Sequence, residues 1–403
     1  MPHAPHGPLD GIRVLDMSTV LLGPYATQIM GDMGADIIKI ESPTGDTSRD
    51  HGPRRHAGMG ATFIDLNRNK RSLVLDLKRP AALRAFLRLV AGADVVFHNL
   101  RPAPATRLGI GYQRLAEINP RIIVATAVGF GRAGAYRDRA AYDDLIQAAC
   151  GLASLVGANV GTGPRYVPTA LADKITGLMV ANAITMALFH RERTGEGQEV
   201  EIPMYETLVS FLLKESTFGL AFDPPLEPRR YERMLSPYRR AHRTKDGFIA
   251  ALPYTDEHWR RFFTLGGRPE LAGDPRFASL GLRTNNFGPL YEALESILLE
   301  KTTAEWTALM EEAGIPVAPV NDLDQLLTDP HLAEAGMFEM VEHPSEGRVL
   351  RVRNPVTFSK TPASYRRSTP RLGENSVEVL AEAGLDKAEI AALLAEGAAS
   401  DGR

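Results

Sequence analysis

Short runs of aliphatic and β-branched residues alternate with longer helical patterns through the first half of the chain, and this alternation constrains the fold more than any other feature. Strands that alternate with helices form βαβ units around a parallel sheet. The predicted strands cover residues 12–15, 35–40, 72–75, 94–97 and 121–125. The predicted helices between them cover residues 25–33, 80–91 and 103–117. The sequence therefore predicts an α/β fold built on a doubly wound parallel sheet.

Such a sheet also predicts where a ligand binds. Ligands of doubly wound sheets lie beyond the carboxyl ends of the strands. The loops that follow Asp16, Glu41, Asn99 and Gly129 each come directly after a predicted strand. We therefore expect these loops to line a site.

The second half of the chain changes character after a long helix. The pattern over residues 171–193 predicts one helix that stops at Gly195, and a short strand at 198–202 and a helix from Pro203 to about Leu220 follow it. Residues 222–230 are rich in proline and charge, which predicts a linker and a domain boundary. Beyond it, a strand at 247–252 and helices at 256–265, 290–300 and 303–313 predict a smaller α+β unit. The tail returns to a strand at 349–352 and ends in helices at 376–383 and 387–394.

Charge and cysteine content exclude several classes of function. The 46 Lys and Arg residues against 49 Asp and Glu give a net charge of -3, so there is no basic excess to hold a nucleic-acid backbone. Cys150 is the one cysteine of the chain, which excludes an intrachain disulfide and favours a reducing compartment. The most apolar run, residues 177–189, is shorter than the ~20 residues of a membrane span, and the first ten residues contain no signal core. These features predict a cytoplasmic protein that binds neither nucleic acid nor membrane.

Asp173 stands at the start of the long apolar helix, in the stretch Pro168-Thr169-Ala170-Leu171-Ala172-Asp173-Lys174-Ile175-Thr176-Gly177. An aspartate ahead of a helical pattern is a preferred N-cap. The same N–H groups at a helix start also hold a carboxylate ionised and oriented, which a nucleophile requires. The residues alone leave both interpretations open.

Other motifs carry weaker indications. Gly129-Phe130-Gly131-Arg132-Ala133-Gly134 matches a dinucleotide fingerprint, but charged loop follows the last glycine where a helix should begin, and no acidic residue ends a second strand. The basic segment Asn67-Arg68-Asn69-Lys70-Arg71-Ser72 predicts either a phosphate cradle or a solvated surface. Tyr142-Asp143-Asp144 precedes an apolar helix, which either aspartate could cap. The ten histidines show no metal-ligand spacing, so no metal site is expected.

Motifs along almost the entire chain resemble the class III CoA-transferases, the family of the carnitine and formyl-CoA transferases. The matching residues are Pro8-Leu9-Asp10-Gly11-Ile12-Arg13-Val14-Leu15-Asp16, Gly23-Pro24, Gly34-Ala35-Asp36-Ile37-Ile38-Lys39-Ile40-Glu41, Asn69-Lys70-Arg71-Ser72, Arg107-Leu108-Gly109, Asn119-Pro120-Arg121, Gly129-Phe130-Gly131, Gln147-Ala148, Thr194-Gly195-Glu196-Gly197-Gln198, Gly314-Ile315-Pro316-Val317-Ala318-Pro319-Val320, Asp329-Pro330 and Leu372-Gly373-Glu374.

The resemblance implies a nucleophile, a domain plan and an assembly. The family's nucleophile is the aspartate of an A-x-A-D-x-x-x-G pattern, which falls on Asp173 with Gly177 in register. It also implies a large CoA-binding domain of residues 1–222 and 335–403, a small domain of residues 223–334, and an interlocked homodimer. The expected reaction moves CoA from an acyl-CoA to a carboxylic acid through aspartyl anhydride and aspartyl-CoA thioester intermediates. Glycine N–H groups at 129–134 are expected to stabilise the oxyanions.

The resemblance places coenzyme A residue by residue. The implied contacts are Leu75 and Lys78 near the adenine, Asn99, Leu100 and Arg101 along the next loop, Arg107 at a phosphate and Tyr142 near the pantetheine end. Two departures count against formyl and oxalyl substrates: Leu21-Leu22 replaces the glutamine before Gly-Pro, and Ser42 replaces an arginine. The glycine-rich loop of the formyl-CoA transferases also has no counterpart near residues 229–243. The basic residues Arg239, Arg240, His242 and Arg243 either bind a second carboxylate, as in a succinyl-CoA donor, or form a solvated surface.

Two alternatives share the same cofactor. The α-methylacyl-CoA racemases resemble this family but use a histidine that is replaced here by Tyr142, and a tyrosine with an ordinary pKa near ~10 is a poor base at neutral pH. A CoA-binding protein without catalysis would require Asp173 to be a cap alone.

Overall fold

The computed structural model of this chain describes residues 7–402. Within that span the strands are β1 (Arg13–Asp16), β2 (Asp36–Glu41), β3 (Lys70–Leu75), β4 (Val95–His98), β5 (Ile123–Val128), β6 (Glu199–Pro203), β7 (His242–Arg243), β8 (Phe248–Ala251), β9 (Val317–Pro319), β10 (Phe338–His343), β11 (Gly347–Val352) and β12 (Ala399–Ser400).

The α-helices of the same span are α1 (Leu22–Asp32), α2 (Ala61–Leu66), α3 (Pro80–Ala91), α4 (Pro102–Leu108), α5 (Tyr112–Ile118), α6 (Asp143–Ala149), α7 (Leu152–Asn159), α8 (Leu171–Thr194), α9 (Met204–Ser216), α10 (Glu232–Leu235), α11 (Asp256–Leu265), α12 (Leu280–Asn285), α13 (Phe287–Leu298), α14 (Thr303–Glu312), α15 (Leu323–Leu326), α16 (Pro330–Glu334), α17 (Ser376–Glu382) and α18 (Lys387–Ala395). Short 3₁₀ helices cover Thr47–Asp50, Phe218–Ala221 and Pro269–Gly273.

The described residues divide into two compact units. Among the described residues, the first comprises residues 7–151, 166–212 and 333–402. The second comprises Leu152–Arg165 and Leu213–Leu332.

A central sheet organises the first unit. Its order among the described residues is β12-β3-β2-β1-β4-β5-β6, and β12 alone among them runs antiparallel, beside β3. The predicted parallel α/β sheet is therefore confirmed, and each of the five predicted strands overlaps one of β1 to β5. All six residues of β5 are buried, as expected for a strand covered by helices on both faces.

Two hydrophobic clusters cover the two faces of this sheet. One contains buried side chains of α3, α5, α17 and α18, and the other contains buried side chains of α1, α6 and α8. The strand order reverses between β1 and β4, because β2 and β3 extend to one side of β1 while β5 and β6 extend beyond β4. A crevice for a ligand is expected at this switch point, beyond the carboxyl ends of the two strands.

The second unit contains an antiparallel sheet and a separate core. Its strands have the order β7-β8-β9 within the described residues. Trp259, Phe262, Phe263 and Trp306 are buried in its hydrophobic cluster, which α11, α13 and α14 provide. The prediction of α+β structure in this part of the chain is therefore confirmed.

One predicted helix is wrong. The helical pattern over residues 103–117 is interrupted, because Gly109 takes a left-handed conformation (φ 71°) that ends α4 before α5 begins. Glycine adopts this conformation without steric cost, which is why it commonly follows the last helical residue.

The basic segment of residues 67–72 is neither the phosphate cradle nor the solvated surface that the sequence allows. Its side chains are buried and already paired: Arg68 binds Asp32, Lys70 binds Asp16, and Arg71 binds Asp36 on β2. A buried cation persists only with such partners, so these charges stabilise the fold and are not available to a ligand.

Helix α8 is longer than the apolar run that the sequence shows. With 24 residues and a mean hydropathy of 1.3 in its most apolar window, it is long and apolar enough to cross a membrane by length and composition alone. The same helix packs against α1, α6, β5 and β6. A core helix of a sheet protein passes the same composition test, so the finding is weak evidence for a span.

Candidate active site

A pocket of about 370 Å³ opens at the switch point of the sheet, beyond the carboxyl ends of β1, β4 and β5. Its lining residues are Thr19, Val20, Leu21, Leu22, Asn99, Leu100, Arg101, Ala127, Val128, Gly129, Ala140, Ala141, Tyr142, Asp143, Asp173 and Met204. The loops predicted to follow Asp16, Asn99 and Gly129 therefore meet here. The loop after Glu41 does not line the pocket, and the buried Glu41 side chain itself pairs with Arg49 at 2.6 Å.

A larger cavity of about 590 Å³ lies elsewhere in the same unit, beside His343, Arg367 and Arg371. It lies away from the switch point, and no residue predicted as nucleophile or coenzyme A contact lines it; Lys70 of the basic segment does, with its ammonium paired with Asp16. Position in the fold and chemical content therefore favour the smaller pocket as the active site.

The loops after β1 and β4 are joined by their own hydrogen bonds. The Thr19 N–H donates to Oδ1 of Asn99 at 3.2 Å, and Nδ2 of Asn99 donates to the Thr19 carbonyl at 3.0 Å. The next residue, Val20, has a φ of 72° and donates its N–H to Asp46 at 3.1 Å. A β-branched residue in this conformation is strained, so the surrounding bonds must hold it. The wall of the pocket is thus fixed by the protein itself.

Asp173 is the third residue of α8 and not its N-cap. The N-cap position is occupied by Ala170, which has no capping side chain. Gly177, one turn further, lies so close to α1 that a Cβ atom there would meet the Leu22 carbonyl oxygen at 2.8 Å. The interpretation of Asp173 as a helix cap is therefore wrong. Within residues 7–402, no hydrogen bond or ion pair to its carboxylate is found.

A second carboxylate takes over the role of the cap. Oδ1 of Asp143 accepts the N–H of Asp173 at 3.0 Å, which satisfies one of the free donors of the first turn of α8. Burial raises the pKa of Asp173 to about 7, and the negative charge of Asp143 contributes to the same rise. A raised pKa in a pocket is a mark of functional carboxylates, and it makes the ionised carboxylate a stronger nucleophile.

Asp143 is in turn held by Gln147, one turn later on α6. Nε2 of Gln147 donates to Oδ2 of Asp143 at 2.5 Å and to the Thr169 carbonyl at 3.3 Å. Oε1 of Gln147 accepts the N–H of Val167 at 2.9 Å. The fully buried Gln147 side chain therefore joins α6 to the segment that leads into α8.

Three N–H groups of the glycine-rich segment after β5, those of Gly131, Arg132 and Gly134, are not available as oxyanion donors. The Gly131 N–H donates to Glu206, the Arg132 N–H donates to Glu201, and the Gly134 N–H donates to the Gly131 carbonyl. These N–H groups are occupied within the protein. Gly129 does line the pocket, and a Cβ atom there would meet the Ala141 Cβ at 2.2 Å.

Comparison with known proteins now identifies the family. The sequence pattern described as "CoA-transferase family III" matches residues 9–376. This chain belongs to the family III CoA-transferases. It is 33% identical to the succinate–glutarate CoA-transferase of Agrobacterium fabrum over 93% of this chain and 95% of that protein. It is 34% identical to the acetyl-CoA:oxalate CoA-transferase of Acetobacter aceti over 94% of this chain and 97% of that protein.

The fold agrees with a solved family structure. A CaiB/BaiF family protein from Brucella suis superposes with a TM-score of 0.79 at 31% identity, over 94% of this chain and all of that one (100%). The resemblance that the motifs indicate is therefore confirmed at the level of the family.

For this family III protein, four of the residues predicted to hold coenzyme A meet in the pocket with Asp173. Asn99, Leu100, Arg101 and Tyr142 all line it. Tyr142 occupies the N-cap position of α6 and is 72% exposed, so its ring is available to a ligand. The Asn99 amide is already committed to Thr19, which makes it a residue that shapes the loop.

The remaining predicted contacts lie outside the pocket lining. Leu75 ends β3 and is buried in the core with 2% exposure, so its side chain packs against the sheet's own helices. Lys78 follows β3 and is exposed. Arg107 lies exposed in the last turn of α4. Because β3 is parallel to β1 and β4, the loop with Lys78 leaves the same edge of the sheet as the pocket.

The basic residues after the predicted linker belong to the second unit and are partly neutralised there. Arg240 and His242 both pair with Glu295, at 2.8 and 3.1 Å. Burial lowers the pKa of His242, although Glu295 opposes this. Arg239 and Arg243 are exposed.

Sequence patterns missed the residues that hold Asp173 in place. Asp143 was visible only as a possible cap of its own helix, and its bond to a residue 30 positions later has no local signal. The spacing of Asp143 and Gln147 does provide a local signal for the bond between these two side chains, because residues four apart meet on a helix face. Among residues 7–402, no cluster of His, Cys, Asp or Glu suited to a metal ion is found.

Proposed function

We propose that this protein transfers CoA from an acyl-CoA thioester to a carboxylic acid acceptor, with Asp173 as the covalent nucleophile. The observation that carries the proposal is the Asp173 carboxylate itself, which lines the pocket at the switch point, has no cation partner within residues 7–402 and has a raised pKa.

The reaction follows from the chemistry of this carboxylate. The Asp173 carboxylate attacks the donor thioester carbonyl, which forms an aspartyl anhydride and releases CoA thiolate. The thiolate then attacks the aspartyl carbonyl of the anhydride, which forms an aspartyl-CoA thioester and releases the donor acid. The acceptor carboxylate attacks this thioester, and the released thiolate attacks the acceptor acyl carbonyl of the new anhydride. The products are the new acyl-CoA and the free Asp173 carboxylate, and no net proton is consumed.

Splitting the exchange into these steps lowers each barrier, because an anhydride and a thioester are close in reactivity. The anhydride would react with water if it were exposed. Leu21, Leu22 and Met204 give the pocket apolar walls that disfavour bound water near Asp173. Arg101 and the Tyr142 hydroxyl supply polar groups for the thioester end of CoA.

The donor that we propose is succinyl-CoA or another dicarboxyl-CoA. Relatives at similar identity include the succinate–glutarate enzyme named above and a succinyl-CoA:mesaconate CoA-transferase from Haloarcula hispanica. Arg239 and Arg243 are exposed and, within residues 7–402, have no carboxylate partner, and their binding of a second carboxylate stays a prediction. Lys78 and Arg107 complete the proposed CoA contacts, together with Leu75, whose buried side chain leaves only its backbone for such a contact.

We also propose a cytoplasmic, interlocked homodimer with a large domain of residues 1–222 and 335–403 and a small domain of residues 223–334. Exposed apolar side chains on α8, namely Leu178, Met179, Met186 and Phe189, support burial of this helix by a second copy. Light scattering on the purified protein checks this assembly, and a monomer at micromolar concentration would contradict it.

The test of the function uses Asp173→Asn, with the exposed neighbouring acid of α6 as a matched control, Asp144→Asn. We expect Asp173→Asn to lower succinyl-CoA:dicarboxylate exchange by more than about 10³-fold, because no other group replaces a covalent nucleophile. Asp144→Asn should leave exchange within about twofold of the wild type. Substantial residual exchange in Asp173→Asn would reject the nucleophile.

A second measurement separates transfer from racemization. A transferase should not exchange the α-proton of a 2-methylacyl-CoA in deuterated water in the absence of an acceptor acid. Deuterium incorporation under these conditions would favour the racemase chemistry, which requires a base on each side of the α-carbon.

A further inference from the structure

Helix α8, which bears the proposed nucleophile, begins without a side-chain cap of its own. A helix usually satisfies its first N–H groups with the side chain of its own N-cap. The N-cap of α8 is Ala170, which has no such side chain. The N–H of Asp173 is satisfied instead by Asp143, from a different helix. The position of Asp173 therefore depends on what holds Asp143.

Gln147 is the side chain that holds it. It is fully buried, and both ends of its amide are used. Nε2 bonds Oδ2 of Asp143 at 2.5 Å and the Thr169 carbonyl at 3.3 Å, while Oε1 accepts the Val167 N–H at 2.9 Å. One end thus fixes the second carboxylate, and both ends fix the segment from Val167 to Thr169 that precedes α8.

We propose that Gln147 is a positioning residue for the CoA-transfer reaction: its amide clamps the start of α8 to the Asp143 carboxylate and thereby fixes the place and charge environment of Asp173. This inference rests on the proposed function for its catalytic meaning. The geometry of the clamp does not depend on that function.

The Gln147 amide keeps the negative charge of Asp143 close to Asp173. Two carboxylates repel each other, so Asp143 remains beside α8 because the Gln147 amide and the Asp173 N–H both donate to it. Without the amide, the Asp143 side chain is free to turn toward solvent, since it is only half-buried. The repulsion on Asp173 then falls, and so does the nucleophilicity that a raised pKa confers.

Asp143 is the group whose charge acts on Asp173 from the elements packed around it. The other titratable groups on α1, α6, β6 and the first turn of α8, or across the pocket, are Tyr25 and Asp32 on α1, Arg101 after β4, Tyr142 at the N-cap of α6, Asp144 on α6, Lys174 on α8, and Glu199 and Glu201 on β6. Asp32 is paired with Arg68, Lys174 bonds the Thr169 hydroxyl, and Glu199 and Glu201 are paired with Arg132.

The test variant is Gln147→Leu, which keeps the volume of the side chain and removes its amide. Gln28→Leu is the matched control, because Gln28 is also a buried glutamine that donates to an aspartate four residues later, Asp32, at 2.9 Å. Gln147→Asn, whose amide is one methylene too short to reach both partners, serves if the leucine variant does not fold.

Two readouts separate positioning from general stability. The first is the titration of Asp173, followed by ¹³C NMR of aspartate-labelled protein and assigned by loss of the signal in Asp173→Asn. The second is the rate at which intact-mass spectrometry detects the covalent adduct after mixing with succinyl-CoA.

We expect Gln147→Leu or Gln147→Asn to lower the Asp173 midpoint by about one pH unit and to slow adduct formation by about 10- to 100-fold. Gln28→Leu should change neither readout. A folded Gln147 variant with the wild-type midpoint and rate would overturn the inference, and so would an equal shift in Gln28→Leu. A shifted midpoint in a protein that forms no adduct would support the clamp while rejecting the proposed function.

Discussion

Asp16 at the end of β1 and Asp173 near the start of α8 lie in the same unit but in opposite electrostatic surroundings. Asp16 is fully buried, and its carboxylate lies 3.2 Å from the Lys70 ammonium. Beside it, Lys39 and Asp46 pair at 2.9 Å with no exposure of either side chain. Asp173, by contrast, faces another carboxylate and, within residues 7–402, has no ion pair.

Burial acts in the same direction at both places, so burial alone does not distinguish them. It raises the pKa of Asp16, but the charges of Lys70 and Lys39 and the hydrogen bonds from the Ser18 and Thr27 hydroxyls together outweigh it and hold the pKa of that carboxyl below its usual range. At Asp173 burial raises the pKa to about 7 and the charge of Asp143 adds to the effect. A carboxylate with a compensating cation stabilises the fold, whereas one without it remains reactive.

The largest stability effect is expected in the compensated cluster. Lys70→Met removes the partner of Asp16 and leaves a buried carboxylate without its cation, so the free energy of unfolding should fall by about 3–5 kcal/mol. Arg88→Met is the control, because Arg88 pairs with Glu389 at 2.8 Å while both side chains are exposed, and its loss should cost less than about 1 kcal/mol. Urea denaturation of both variants checks the contrast, and equal losses would show that burial of the pair does not matter.

Asp173→Asn should have the opposite effect on stability, and the effect should depend on pH. The pKa of Asp173 in the folded protein is about 7, above its ordinary value of 3.8, so the folded state binds the proton more tightly. The wild type therefore loses stability as pH rises from about 4 to 7. At pH 8 Asp173→Asn should be more stable than the wild type by about 1–2 kcal/mol, a value reduced from the full shift by partial exposure.

The measurement is the difference in free energy of unfolding between Asp173→Asn and wild type at pH 5 and pH 8. The difference should be smaller at pH 5 than at pH 8, because the unfolded wild type is already ionised at pH 5 while the folded carboxyl loses its proton only near pH 7. A variant that is less stable than the wild type at pH 8 would mean that Asp173 has a stabilising partner after all.

The smallest of these effects isolates the charge of Asp143. The rate of covalent adduct formation should rise with pH as Asp173 ionises, with a midpoint near the pKa of about 7. Asp143→Asn keeps an oxygen for the Asp173 N–H but removes the negative charge, so the midpoint should fall by about one pH unit. Asp144→Asn, one position later and exposed, should leave it in place. An unchanged midpoint in Asp143→Asn would assign the whole pKa rise to burial.

The sequence predicts the frame of the fold well because its strands and helices carry local signals. The predicted helix at 80–91 agrees with α3 (Pro80–Ala91) to the residue, since Pro80 starts it and its apolar spacing is regular. The position of the pocket can also be predicted, because a crevice forms beyond the carboxyl ends of β1 and β4, where the strand order reverses. Strand β12 was missed, since Ala399 and Ser400 pair with β3 across more than three hundred residues of chain.

The candidate site is less predictable because its contacts are long-range. Asp173 was found through a family pattern, and its helical position differs from the cap that its local sequence suggests. The basic segment at 67–72 looked like a ligand site because the acidic partners Asp16, Asp32 and Asp36 are distant in sequence. Pairing between distant charges decides whether a residue stabilises or reacts, and a local pattern does not contain that information.

Chemical trapping of the intermediate tests the central claim most directly. Hydroxylamine converts an aspartyl anhydride or thioester into a hydroxamate. The protein is therefore incubated with hydroxylamine and an acyl-CoA donor that it turns over. Its peptides are then mapped by mass spectrometry. In the wild type we expect the hydroxamate on Asp173. In the Asp173→Asn variant we expect no hydroxamate at position 173, on Asp143 or on Asp144. Modification of a different residue, or continued CoA exchange with Asp173 unmodified, would contradict the assignment of Asp173 as the residue that carries CoA between the two acids.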